Sequence, residues 1–225
     1  MTRIKICGIS DIESAIAASE AGCDYLGMVF APSRRQVSPE NALKIVETVQ
    51  QLEPHPQIVG VFVNKPVPEV NQIANYCKLD WVQLSGDENW EYCIKIRARL
   101  IKVFHIAADA RQAEISTEVW KGYSVIPPKQ LICLLDSIVE GVYGGTGIPF
   151  NWPVAKSVSE KFSVMIAGGL NPDNVLELME STKPWAVDVS SGVETNGKKD
   201  AIKMKAFIQA VRRYDMEQAG GSHRD

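Results

Sequence analysis

The sequence predicts a single (β/α)8 barrel, an α/β fold in which eight parallel strands close on themselves. Eight short, nearly continuous apolar runs recur along the 225 residues, helical patterns alternate with them, and the turn after the first run lacks a dinucleotide-binding glycine pattern. Strands that are apolar on both faces belong to parallel sheets covered by helices, which leaves a closed barrel or an open doubly wound sheet. An open nucleotide-binding sheet would carry G-x-G-x-x-G after its first strand. Here Cys7-Gly8-Ile9-Ser10 follows instead, and the count of eight favours the barrel.

The first strand is read at 4–7, with a helix at 11–21 opening after Ser10 and Asp11. The second strand, 25–30, precedes a helix at 39–52 that starts on proline, a residue suited to the first helical turn. Strands at 58–63 and 81–84 precede helices at 67–76 and 89–97, and a strand at 100–106 precedes the weakest helical pattern, 109–128. Strands at 131–136, 164–167 and 186–189 complete the set, with helices at 172–180 and 200–214. No linker divides the chain, so residues 1–217 read as one barrel domain and residues 218–225 as a frayed tail.

A composition of 45% hydrophobic and 23% charged residues is that of a soluble globular protein with a sizeable core. The formal net charge of -3, without a dense basic run, predicts neither nucleic acid nor a membrane surface as partner. Cys7, Cys23, Cys77, Cys93 and Cys133 are odd in number and unlike any zinc pattern, so reduced thiols and a cytoplasmic location are expected. No apolar run reaches the length of a signal peptide or membrane helix.

In parallel barrels the chemistry sits where strands end and βα loops begin. Strand alternation puts Lys5 and Cys7 on the barrel axis and Ile4 and Ile6 toward the helices. A thiol just before a helix could have a lowered pKa and act as a base, although spacing alone also allows a small buried apolar residue. Asp136 ends the sixth strand, in phase with Ile132 and Leu134, and faces inward across the mouth. A carboxyl desolvated there could keep its proton and act as an acid, or could cap a turn. Gly144-Gly145-Thr146-Gly147, Gly168-Gly169 and Ser190-Ser191-Gly192 follow strands six, seven and eight. Their backbone amides could cradle a phosphate, a common arrangement at the last two loops of such barrels. Arg35, in the loop after strand two, could grip a carboxylate with its forked guanidinium, and Gln83 and Asp188 take inward positions.

Taken together these motifs resemble phosphoribosylanthranilate isomerase, a family of tryptophan biosynthesis, along nearly the whole chain. The matching stretches are Lys5-Ile6-Cys7-Gly8-Ile9, Gly60-Val61-Phe62-Val63-Asn64, Val82-Gln83-Leu84, Leu134-Leu135-Asp136, Gly144-Gly145-Thr146-Gly147, Ala167-Gly168-Gly169-Leu170 and Asp188-Val189-Ser190-Ser191-Gly192-Val193-Glu194. The resemblance implies an Amadori rearrangement of N-(5-phosphoribosyl)anthranilate by acid/base catalysis, with no metal or organic cofactor and a monomer or homodimer. It implies Cys7 as base, Asp136 as acid and Arg35 at the anthranilate carboxylate. Lys5, Gln83 and Asp188 would complete the substrate site, and Gly145, Gly168, Gly169, Ser190, Ser191 and Gly192 would hold the phosphate.

The chain departs from the family pattern at Arg34, where proline is usual, at Gln36, where an aromatic is usual, and at Ser85, which replaces a histidine. The stretch 194–200 also lacks the familiar Pro-Gly-Val. Two other readings stay open at this point. One is a histidine-pathway Amadori isomerase, expected to use two carboxylates; the other is a barrel that binds a phosphorylated ligand without turnover.

Overall fold

A computed structural model describes residues 1–107, 110–137 and 152–221. Eight parallel strands close in chain order: β1 (Arg3–Cys7), β2 (Tyr25–Val29), β3 (Gln57–Phe62), β4 (Trp81–Leu84), β5 (Arg99–Ile106), β6 (Leu131–Ser137), β7 (Val164–Ala167) and β8 (Ala186–Val189). Between and after them lie α1 (Ile12–Glu20), α2 (Pro39–Val49), α3 (Val67–Tyr76), α4 (Trp90–Cys93), α5 (Gln112–Val125), α6 (Trp152–Ser159), α7 (Val175–Thr182) and α8 (Ala201–Gly221). No helix among the described residues is long and apolar enough to cross a membrane.

Alternation along each strand divides the core in two. Ile4, Ile6, Leu26, Ile58, Val82, Leu100, Leu135, Ile166 and Val187 point outward and pack against the helices. Tyr25, Val59, Trp81, Ile101, Val103, Ile132, Leu134, Met165 and Ala186 fill the interior. Arg3 pairs with Ala186 and Lys5 with Asp188 across β1 and β8, so residues in register share a face. That rule carries Cys7, Gln83, Asp136 and Asp188 to the C-terminal mouth.

Helix boundaries differ from the sequence reading where side chains intercept backbone groups. The predicted helix at 89–97 is a single turn, α4, capped by Asn89 accepting from the Tyr92 amide at 2.9 Å. Beyond it Asn71 of α3 donates to the Lys95 carbonyl at 3.0 Å and accepts from the Arg97 amide at 2.9 Å, replacing helical partners. The helix predicted from 172 starts at Val175, because the Asn171 side chain accepts from the amides of Asp173 and Asn174 and folds those residues into a turn. Residues 218–221 of the expected 218–225 tail belong to α8, which continues to Gly221, and 222–225 lie outside the described residues. Gln218 and Ala219 are good helix formers, and the ladder runs on through Gly220 and Gly221 despite their low propensity. Helix α6 and the hairpin of β9 (Glu194–Thr195) and β10 (Lys198–Lys199) are absent from the sequence reading. The hairpin turns at Asn196 and Gly197, both at positive φ (53° and 78°), as a two-residue primed turn requires.

Candidate active site

Lys5 forms the floor of the site. Its ammonium is fully buried and meets both carboxylate oxygens of Asp188, at 3.0 and 2.9 Å. Burial works against the charged form, but the charges of Asp188 and of Cys7 outweigh it and the Lys5 pKa is raised. The two residues expected at the substrate are therefore each other's partner, seated beneath Cys7.

Cys7 lies one pleat above Lys5. Its neighbour in register on β2 is Gly27, where an added Cβ would stand 2.9 Å from the Cys7 Sγ and 3.2 Å from the Lys5 Cε. Any side chain at position 27 would displace the thiol, so the glycine makes its room. Burial pushes the Cys7 thiol up, Lys5 pulls it back, and Asp188 pushes up again, for a net upward shift. The lowered pKa expected from a nearby helix is not realised. Helix α1 starts five residues on, and its N-terminal amides already face the Asp11 carboxylate, which accepts from Ser14 at 2.8 Å. Lys5, followed by a weaker influence of Lys199, favours the thiolate instead.

Asp136 is the penultimate residue of β6, on the inner face as the alternation predicts. Burial raises its pKa to about 6; His105 and Lys5 oppose that shift and Asp188 adds to it. A carboxyl in this state holds its proton far closer to neutrality than a solvated one near 4. Gln83 is buried on β4, donates to the Ser85 hydroxyl at 3.1 Å, and leaves its Oε1 without a hydrogen-bond partner among the described residues. A buried acceptor in that condition is suited to a donor group on a ligand.

Arg35 is placed differently from the expectation of a loop arginine awaiting a carboxylate. Its Nε and Nη2 bind the two oxygens of Glu194 at 2.6 and 3.0 Å. Arg34 reaches the same carboxylate at 2.8 Å, and Lys199 at 2.7 Å. Glu194 is almost fully enclosed; burial works to raise its pKa, but hydrogen bonds from Arg35 and Lys199 hold it below the usual carboxylate range. Three cations, Arg34, Arg35 and Lys199, thus share this one carboxylate. The stem of Arg35 lies over Gly8, which has φ 82° and where a Cβ would come within 2.5 Å of the Arg35 Cδ. Lys199 also donates to the Ser190 carbonyl at 2.9 Å, tying the hairpin to the end of β8.

The loops after β7 and β8 converge. Gly168 and Gly169 turn at φ 107° and 63°, and an added Cβ at Gly169 would enter open space. A Cβ at Gly192 would stand 1.8 Å from the Leu170 carbonyl oxygen, so only glycine allows the two loops to meet. Ser191 and Gly192 form one 3-10 turn, Ser191–Val193, and Ser190 precedes it with its hydroxyl beside Gly8. Gly145, the remaining expected phosphate contact, lies outside the described residues.

Glu194, Lys199, Gly27 and His105 were not singled out by the sequence reading. Asn196-Gly197 is a hairpin signal and would have paired Glu194 with Lys199. The phase that turned Ile101 and Val103 inward places His105 on the same side.

A protein-family model described as N-(5'phosphoribosyl)anthranilate (PRA) isomerase matches residues 4–210. A protein of Dehalococcoides mccartyi named N-(5'-phosphoribosyl)anthranilate isomerase is 43% identical over 215 residues, spanning 96% of this chain and 98% of that protein. One of the same name from Geobacter metallireducens is 44% identical over 214 residues, covering 94% and 100%. Among solved structures, phosphoribosyl anthranilate isomerase from Thermotoga maritima is similar with a TM-score of 0.81 and 37% identity, covering 95% of this chain and all of that one. A phosphoribosyl anthranilate isomerase in complex with reduced 1-(o-carboxyphenylamino)-1-deoxyribulose 5-phosphate is similar with a TM-score of 0.78 and 35% identity, over 95% and 100% of the two chains.

Proposed function

The chain belongs to the N-(5'-phosphoribosyl)anthranilate isomerase family, and from that premise we infer that Cys7 and Asp136 carry the proton transfers of its reaction. The enzyme converts N-(5'-phosphoribosyl)anthranilate to the corresponding aminoketose phosphate, a step of tryptophan biosynthesis. The observation that carries the assignment is the pairing of a carboxyl held up to about 6 with a thiol poised over a buried ammonium at the same mouth.

Asp136 protonates the ring oxygen while the bond from that oxygen to the anomeric carbon breaks, and the nitrogen lone pair closes an iminium. Cys7, as thiolate, removes the proton from the adjacent sugar carbon, and the electrons of that bond flow to the iminium nitrogen. The resulting enolamine becomes the ketone by moving its hydroxyl proton to carbon. Because the substrate nitrogen is the electron sink, two proton-transfer groups suffice. The cationic iminium beside Cys7 favours the thiolate at the moment it is needed, which offsets the upward shift of the resting thiol.

Arg35 is proposed to meet the anthranilate carboxylate with its forked guanidinium, whose plane Glu194 fixes. Gly168, Gly169, Ser191 and Gly192 are proposed to hold the phosphate, with Ser190 bridging toward Gly8 and Gly145 as a further expected contact. Phosphate is remote from the reacting bonds, so its binding energy fixes the sugar between acid and base.

The assay is turnover of the aminoaldose followed by the change in anthranilate fluorescence, in parallel with the histidine-pathway aminoaldose. The wild-type protein should turn over the first substrate, and Cys7→Ser should abolish it with the circular dichroism spectrum and phosphate competition unchanged. Near-normal turnover by Cys7→Ser would reject the base assignment.

A further inference from the structure

We propose that His105 is the proton-delivery residue of this barrel, returning a proton to Asp136 from solvent after each turnover. The inference rests on Asp136 acting as the acid and adds the step that resets it. The reaction leaves the enzyme with a protonated Cys7 and an ionised Asp136, so the carboxylate must regain one proton and the thiol must lose one before the next cycle.

His105 stands where such a relay is needed. It is the register partner of Asp136 on the adjoining strand, so their Cα atoms are about 5 Å apart. Its position on β5 is in phase with Ile101 and Val103, which line the interior, so it comes to the same mouth as Asp136. Asp136 is largely enclosed, whereas His105 is exposed to solvent. The ring is fixed by a 3.0 Å hydrogen bond between Nε2 and the Ser85 carbonyl. A carbonyl only accepts, so Nε2 carries hydrogen and Nδ1 is the basic nitrogen of the neutral ring. Nδ1 can take a proton from water or buffer and pass it to the Asp136 carboxylate, directly or through one water; the imidazole returns neutral and Asp136 returns neutral.

The charged groups acting on Asp136 among the described residues are His105, Asp188 and Lys5, and the last two neutralise each other. From the turn after β4 the histidine meets, among the described residues, the Ser85 backbone carbonyl, and Lys102 of β5 points to the helix side, where it binds Glu88 at 3.2 Å. Among these groups His105 is the one whose ring can both accept and donate a proton.

Supply matters on the alkaline side. Hydronium near pH 8 is about 10 nM, so even at a diffusional limit of roughly 10^10 per molar per second it reprotonates one carboxylate only about 100 times per second. That lies within the ordinary range of enzyme turnover, so a local donor can set the rate.

The test is His105→Gln, whose amide can keep the bond to the Ser85 carbonyl but cannot deliver a proton. In dilute buffer at about pH 8, kcat should fall about tenfold with KM unchanged, recover as imidazole is added, and approach wild type below about pH 6, while wild type ignores imidazole. A kcat equal to wild type, or a loss that imidazole leaves untouched, would overturn the relay. Asp136→Asn measured alongside separates the two readings: if it is inactive, failure of His105→Gln rejects the relay alone, and if it remains active the acid assignment itself falls.

Discussion

The two ends of the barrel are built on opposite principles. At the N-terminal end Tyr25, Trp81 and Trp185 interlock, with Tyr25 and Trp81 edge-on at 6.3 Å and the Arg99 guanidinium 4.5 Å above the Trp81 ring. The Trp81 indole donates to the Gln57 side chain at 2.5 Å, so its polar group is satisfied. At the C-terminal end an ammonium, a thiol and two carboxylates are enclosed together, three of them with pKa values pushed away from ordinary, and the Gln83 Oε1 has no hydrogen-bond partner among the described residues. One end is optimised for packing. The other retains buried polarity that packing alone would remove, and the difference locates where stability and chemistry reside in one small domain.

The largest effect that would sharpen this division is catalytic. Asp136→Asn should lower kcat about a thousandfold, because an amide cannot donate a mobile proton to the ring oxygen; steady-state turnover with an intact near-ultraviolet spectrum checks it. At the opposite end, Trp81→Ala should lower the unfolding free energy by about 3–5 kcal/mol while turnover per folded molecule stays near wild type. Denaturant melts and active-site-normalised rates decide this one, and a selective loss of kcat there would break the comparison.

A smaller effect has the opposite sign. The folded pKa of Asp136 is about 6, raised by burial, so its contribution to stability is present in full below the unfolded value near 4 and is lost as pH rises through about 6. Above that range an ionised carboxylate is enclosed, and Asp136→Asn should stabilise the protein by about 2 kcal/mol at pH 8 but hardly at pH 4. Thermal melts at both pH values provide the check; equal shifts at the two would argue that burial is not the cause. The smallest predicted effect is at the mouth's rim. Arg35→Lys should raise KM about fivefold, since an ammonium cannot keep both contacts to Glu194, whereas Arg34→Lys, on a largely exposed side chain, should change it less than twofold. If Arg34 carries the larger loss, the substrate carboxylate is bound on the outer side of Glu194.

Much of this architecture was legible in the sequence because barrel strands obey one simple alternation. Placing Ile4 and Ile6 outward fixed Lys5 and Cys7 inward, and the same count brought Asp136, Gln83 and Asp188 to the mouth. Pairing was harder to read. Lys5 with Asp188 is a contact across 183 residues, and Arg35 with Glu194 across 159, neither announced by local spacing. The local signal that did exist, Asn196-Gly197, would have brought Lys199 beside Glu194. The Cys7 pKa went the other way from expectation because proximity in sequence to a helix is not exposure to its amides: Asp11 already occupies them. Helix lengths after β4 and β7 were overestimated for a related reason, since Asn71 and Asn171 spend their side chains on backbone groups that a periodicity argument assigns to the helix.

The most direct test of the account is a carboxyl-detected nuclear magnetic resonance titration of Asp136 in the ligand-free enzyme, assigned by its disappearance in Asp136→Asn. A titration midpoint of about 6 is the predicted result. A midpoint near 4, the value of a solvated aspartate, would contradict the claim that the mouth holds a protonated acid ready for ring opening.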